Sequence, residues 1–279
     1  MHPLRAALRF APTRPILAFV ITLALQLLFA VLADIFGDAV LVVKLLACAI
    51  AFAALLGLVR FEGSSLGSVG FRGNPFRSFA LGLLAGCLLI AVVVGLLAVA
   101  GVYRVLDIRF SSAFLGWALV LLPASAAEEI VYRGILFRMA EEGWGSVGAL
   151  IFSALVFGFI HAANPGATPF TSLAIGLEGG LLLGAAYMAT RSLWAVMGLH
   201  FGWNLMTSVF GFSVSGVRNP GLLQSQTLGA DLWTGGAFGP EAGLATLLVA
   251  TGVGLGVLML AARRGEVRSP NSARAALRA

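Results

Sequence analysis

Leu121 to Arg133 reads LLPASAAEEIVYR and sets two adjacent carboxylates, Glu128 and Glu129, at the end of a long apolar run. An ionised carboxylate in lipid-like surroundings costs several kcal/mol unless it is paired or wetted. A chain that keeps such a pair inside an apolar helix must bring partners to it from elsewhere. The surrounding sequence therefore has to supply both the membrane and the partners.

The composition supplies the membrane. Of 279 residues, 59% are hydrophobic and 11% are charged, and the mean hydropathy is +0.99. Soluble domains carry about a quarter charged residues, so this chain cannot cover its surface with polar groups. The expectation is an all-α, polytopic transmembrane bundle, with residues 1–279 forming one integral membrane domain in contact with the lipid bilayer. The pI of about 10.3 does not imply nucleic acid, because the arginines gather at the ends of apolar runs, as topology signals do. Cys48 and Cys87 lie inside apolar segments and read as small core hydrophobes, with no disulfide or metal motif.

Outward from the glutamates, apolar runs long enough to span about 30 Å of hydrocarbon predict eight spans. These are Pro15–Phe36, Ala39–Val59, Ser78–Val102, Ala113–Ala127, Val147–Ala163, Phe170–Thr190, Leu193–Phe212 and Glu241–Ala262. Arg60–Arg77 and Tyr103–Ser112 read as exposed loops, and residues 263–279 as a basic, disordered tail. Gly82 with Gly86, and Gly176 with Gly180 and Gly184, have the small-residue spacing of close helix packing. Pro123 predicts a kink near the glutamates. With eight spans both termini share a side, and most of the 18 basic residues fall on that side. The positive-inside rule makes that side cytoplasmic. Abundant Ala, Gly and Arg with a single Lys point to a bacterial inner membrane.

Polar groups inside the spans are few. His2 is at the exposed start, whereas His161 and His200 lie within apolar helices, and Asn204 follows His200 by one helical turn. Glu129 and Arg133 have the acid-first spacing of an ion pair. Each of these alone reads as interhelical glue. Together, Glu128, Glu129, His161, His200 and Asn204 come from three neighbouring spans and must converge to be satisfied, which makes a polar cavity suited to a water and a base. Glu178 has no patterned partner and reads as packing or a cavity wall. The same residue types also serve proton- or cation-coupled transporters and non-catalytic scaffolds that keep the fold.

EEIVYR (Glu128–Arg133), FGFIH (Phe157–His161) and HFGWN (His200–Asn204) match EExxxR, FxxxH and HxxxN motifs in order. The ordered set resembles the CAAX-protease and bacteriocin-processing family, also called the Abi family, over residues 116–212. The resemblance implies an intramembrane endopeptidase that opens toward the cytoplasm and cleaves a membrane-associated protein or peptide, either a prenylated C-a-a-X substrate or a leader peptide. It implies Glu128 as the base that activates water with help from His161, Glu129 and Arg133 as a positioning pair, and His200 and Asn204 as the oxyanion site. A glutamate-dependent mechanism without an obligatory metal is favoured; if zinc is used, its ligands are Glu128, His161 and His200. Nothing in the sequence sets the oligomeric state.

Overall fold

The computed structural model describes residues 13–276. His2, Arg5, Arg9 and Arg278, read above as an exposed start and as topology signals, lie outside the described residues. The elements are α1 (Arg14–Phe36), α2 (Val40–Glu62), α3 (Pro75–Val99), β1 (Tyr103–Ile108) and α4 (Ser112–Glu129). A π-helical segment (Ile130–Phe137) leads directly into α5 (Arg138–His161). Next come α6 (Pro169–Ile175), a second π segment (Gly176–Leu182), α7 (Leu183–Thr190) and α8 (Leu193–Val209). β2 (Leu223–Thr227), the short α9 (Asp231–Thr234), α10 (Leu244–Arg263) and α11 (Pro270–Ala276) complete the order.

Helix dominates because apolar segments in lipid must satisfy every backbone group internally. Polar residues mark where helices start: the side chains of Asn74, Ser111 and Ser192 accept from Arg77, Phe114 and Ala195 backbone N–H groups at the heads of α3, α4 and α8. Among the described residues, six helices are long and apolar enough to cross a membrane, so the protein is an integral membrane bundle. All eight expected segments are helical, but the two on either side of Gly145 count as one candidate span, Ser112–His161, and α8 has only 17 residues. Gly145, at φ 77° and ψ 174°, reverses the chain within α5. In a straight helix residues 132 and 157 would stand about 37 Å apart; the rings of Tyr132 and Phe157 are 4.8 Å apart.

The small-residue stripes pack as expected. A Cβ on Gly82 or Gly86 would strike the Ala195 or Leu199 carbonyl oxygen of α8, and one on Gly198 or Gly202 would strike the Phe79 or Leu83 carbonyl oxygen of α3. Four glycines thus interlock at one crossing. Gly176 and Gly180 press on Ala154, and Gly184 on Leu150.

The structure adds local detail to four expectations. Tyr103–Ser112 is not all loop: β1 pairs antiparallel with β2, Tyr103 opposite Thr227, because a partner strand 115 or more positions away supplies the ladder. α4 continues through Pro123, and a π segment follows directly after Glu129. The Arg60–Arg77 loop is partly docked, with Val69 fully buried and its carbonyl accepting from Tyr187 Oη at 3.1 Å. The tail contacts the bundle at Arg268, whose N donates to Ser146 Oγ at 2.8 Å and whose carbonyl accepts from Ser146 N at 2.9 Å, against the gap that Gly145 leaves open.

Candidate active site in the bundle interior

The last turn of α4 sorts its two acids by burial. Glu129 is fully buried, whereas the Glu128 side chain keeps 31% of its exposure and faces a cavity. The π segment begins at the next residue and holds Ile130 to Phe137 entirely in the core. Its wider turn sets Arg133 where Nη1 donates to Glu129 Oε1 at 2.8 Å while Nη2 donates to the Gly179 carbonyl of the second π segment. Such wide turns concentrate at functional sites.

His200 approaches the same carboxylate from α8. Its Nδ1 lies 2.7 Å from Glu129 Oε1 and its Nε2 lies 3.9 Å from Glu128 Oε2. An ionised carboxylate can only accept, so Nδ1 carries the proton shared with Glu129. His161 is held from the other side: Nδ1 donates to the Phe157 carbonyl at 2.7 Å, which leaves Nε2 as the free position of the neutral ring. Asn204 Nδ2 donates to Ser125 Oγ at 3.3 Å, one helical turn before Glu129. The Phe157 ring is a common platform, with its centroid 4.5 Å from that of His161, 6.3 Å from that of His200 and 5.1 Å from Arg133 Cζ. Gly179 leaves room for that ring, since a Cβ there would run into it.

Two cavities meet at these groups. The larger, about 450 Å³, has Glu128, Tyr132, His161, His200 and Asn204 at its inner end and the single lysine, Lys44, in its wall. The smaller, about 30 Å³, shares His161, His200, Asn204 and Ser215 and extends inward to Glu178 and Glu241. That volume has room for water. The structure therefore brings all six motif residues expected from the sequence to one place, and Glu178 to the wall behind them. Among the described residues no group of three or more His, Cys, Asp or Glu side chains is placed to hold a metal ion.

Several contributors escape a reading of motifs. Helical spacing pairs Glu129 with Arg133, and in the fold Glu129 also orients His200. Ser125 fixes the Asn204 amide. Glu241 takes bonds from Trp203 Nε1 at 2.9 Å and Ser215 Oγ at 3.0 Å, and also from Ser215 N, whose residue is in the left-handed region at φ 47°. Burial pushes the Glu241 carboxyl above its ordinary range, against these hydrogen bonds, which pull it down. An acid at the head of an apolar C-terminal span was the available signal.

Carboxylates, imidazoles and an amide thus converge around an internal cavity of a helical membrane bundle. Residues 109–206 match the family model described as type II CAAX prenyl endopeptidase Rce1-like, which agrees with the family that the three motifs resemble. The matched segment is about a third of the chain and contains every motif residue from Glu128 to Asn204. Neither a curated protein nor a solved structure matches the chain.

Proposed function

We propose that the protein is an intramembrane endopeptidase that hydrolyses a peptide bond of a membrane-associated substrate with water activated by Glu128. The observation that carries this reading is the division between the two glutamates. Glu128 faces the cavity, while Glu129 is fully buried and its Oε1 accepts from both Arg133 and His200. Bound water gives a proton to Glu128, with the unprotonated Nε2 of His161 as a second acceptor, and its oxygen attacks the scissile carbonyl. The oxyanion that develops takes a bond from Asn204 Nδ2 and from His200 Nε2 in the doubly protonated ring, whose Nδ1 is anchored on Glu129. Collapse of the tetrahedral intermediate breaks the C–N bond, and the proton held by Glu128 passes to the departing amine. The substrate is a membrane-associated protein or peptide, and the site of action is the bacterial inner membrane.

The test is cleavage by purified, folded Glu128→Gln and Glu128→Ala. Both variants lose peptide cleavage while keeping the thermal stability of the unmodified chain. Wild-type cleavage by either variant would refute the mechanism. Comparing membranes that carry the active chain or Glu128→Ala by proteomics then identifies the substrate as the protein that stays uncleaved.

A further inference from the structure

The large cavity is not symmetric about the catalytic groups. Its walls on α1 run from Gln26 to Gly37, and on α4 from Glu128 back to Trp117. Eleven residues of helix on each wall give a depth of about 16 Å. Its outer rim is built from Gly37 and Val40 at the α1–α2 turn, Asn164 after α5, and Val214 and Val217 after α8. All of these belong to the end of the bundle that carries the β1–β2 ribbon.

The opposite end is filled. Residues 129–142 are buried without interruption. Below them Arg14 donates to Glu62 at 2.7 Å and to Glu142 at 2.6 Å, and Arg138 donates to Glu62 at 2.7 Å, all with side chains under a tenth exposed. Arg191 with Glu141 and Glu266 closes the rest of that end. Both ends of the described chain are here, Arg14 through Glu142 and Arg268 through Ser146. The resemblance implies a cytoplasmic opening and the positive-inside rule implies cytoplasmic termini. In this fold the cavity and the termini face opposite ways, so both cannot hold.

We infer that the cleft is entered from the membrane face opposite the termini, the non-cytoplasmic face, and that the substrate is an extended apolar peptide delivered from that side. The arginine-rich end sets the orientation, and its ion-pair plug denies a route from the cytoplasm. A depth of about 16 Å admits about five residues of extended chain. The walls offer Phe29, Val43, Trp117 and Leu121 for apolar side chains, with Lys44 as the single cation. A peptide with these properties is the outer, membrane-proximal end of a protein anchored in the same bilayer. The substrate side of the inference rests on the endopeptidase reading; the direction of entry does not.

The experiment uses the full chain with Cys48 and Cys87 replaced by alanine, produced in a bacterial inner membrane, with one new cysteine at a time. Ala124→Cys and Ala33→Cys line the cleft, Val217→Cys marks its rim, and Arg72→Cys marks the arginine-rich end. The probe is a membrane-impermeant sulfonated maleimide applied to spheroplasts and to inverted vesicles. Cleft and rim cysteines react at least tenfold faster in spheroplasts, and Arg72→Cys at least tenfold faster in inverted vesicles. Reaction of either cleft cysteine from the Arg72 side, or of Arg72→Cys in spheroplasts, overturns the inference. So does a cleft cysteine that reacts only after detergent opens the membrane. Labelling needs no cleavage, so a failure here and a failure of the Glu128 test are separately visible.

Discussion

Glu129 and His200 share a hydrogen bond of 2.7 Å across 71 positions of sequence, and the same carboxylate oxygen accepts from Arg133 at 2.8 Å. One buried oxygen therefore fixes both the ring that faces Glu128 and the guanidinium that ties the two π segments together. The neighbouring acids of the EE pair have separate duties as a consequence of position: the helix turns one into the core and leaves the other on the cavity wall.

That separation predicts different outcomes for the same substitution at adjacent positions. Glu129→Gln keeps the side-chain shape but strips Arg133 of its counter-charge inside the core, and breaking a buried pair costs about 3–5 kcal/mol. Thermal unfolding in a single detergent should show a large fall in Tm for Glu129→Gln and a change within about 0.5 kcal/mol for Glu128→Gln, as for a side chain outside the packed core. Cleavage is lost in both. Equal falls in Tm would mean that the two acids are structurally equivalent.

Asn204 and Ser125 form a second such pair, one group at the reaction and one behind it. Removing an oxyanion donor lowers kcat by about 10²–10³-fold, which is the expectation for Asn204→Ala with KM little changed. Ser125→Ala removes one neutral hydrogen bond worth about 1 kcal/mol, so kcat should fall about fivefold. A Ser125→Ala loss as deep as that of Asn204→Ala would give the serine a direct role.

How far the sequence shows this arrangement depends on how local each feature is. Glu129 with Arg133, Phe157 with His161 and His200 with Asn204 are each one helical turn apart, so spacing alone puts the members of each pair on a common face. The turn at Gly143–Gly145 and the stripe at Gly82 and Gly86 are likewise readable from short stretches. What pairs with what across the bundle is not: the Glu129–His200 bond, the Ser125–Asn204 bond and the β1–β2 ribbon join residues from 71 to more than 115 positions apart. The docked tail was hidden for a different reason. On the tail's side its contact with Ser146 is made by the Arg268 backbone, which leaves no trace in side-chain composition. The direction of the cleft was equally hidden, because it follows from which turns frame it.

The α3–α8 crossing offers a test of packing that is independent of chemistry. A methyl group on Gly86 meets the Leu199 carbonyl, a rigid backbone atom, whereas one on Gly95 of the same helix meets nothing within 4 Å. Overpacking costs about 1–3 kcal/mol, so Gly86→Ala should lower Tm measurably. Gly95→Ala should be neutral or stabilise by up to about 1 kcal/mol through helix propensity. A tolerant Gly86→Ala would show that the two helices can separate without loss, and the interlocked glycines would then not set their distance.

Glu178 is a buried acid with both carboxylate oxygens unpaired among the described residues. It is 1% exposed and shares the small inner cavity with a second acid, Glu241. A buried polar group without a partner costs about 1–3 kcal/mol. Glu178→Gln keeps its volume and adds two donors that can meet neighbouring carbonyl or carboxylate oxygens. The expected outcome is a Tm higher by about 2–4 °C, the shift that corresponds to roughly 1 kcal/mol in a chain of this size class. The rate of cleavage should stay within about twofold, since the reacting atoms are Glu128 and the groups beside it. Differential scanning fluorimetry and a cleavage assay on the same preparation check both statements. A fall in Tm would show that the acid is satisfied by water in the inner cavity and holds α6 to α8 through it, and a fall in rate without a fall in Tm would bring Glu178 into the proton path of the site.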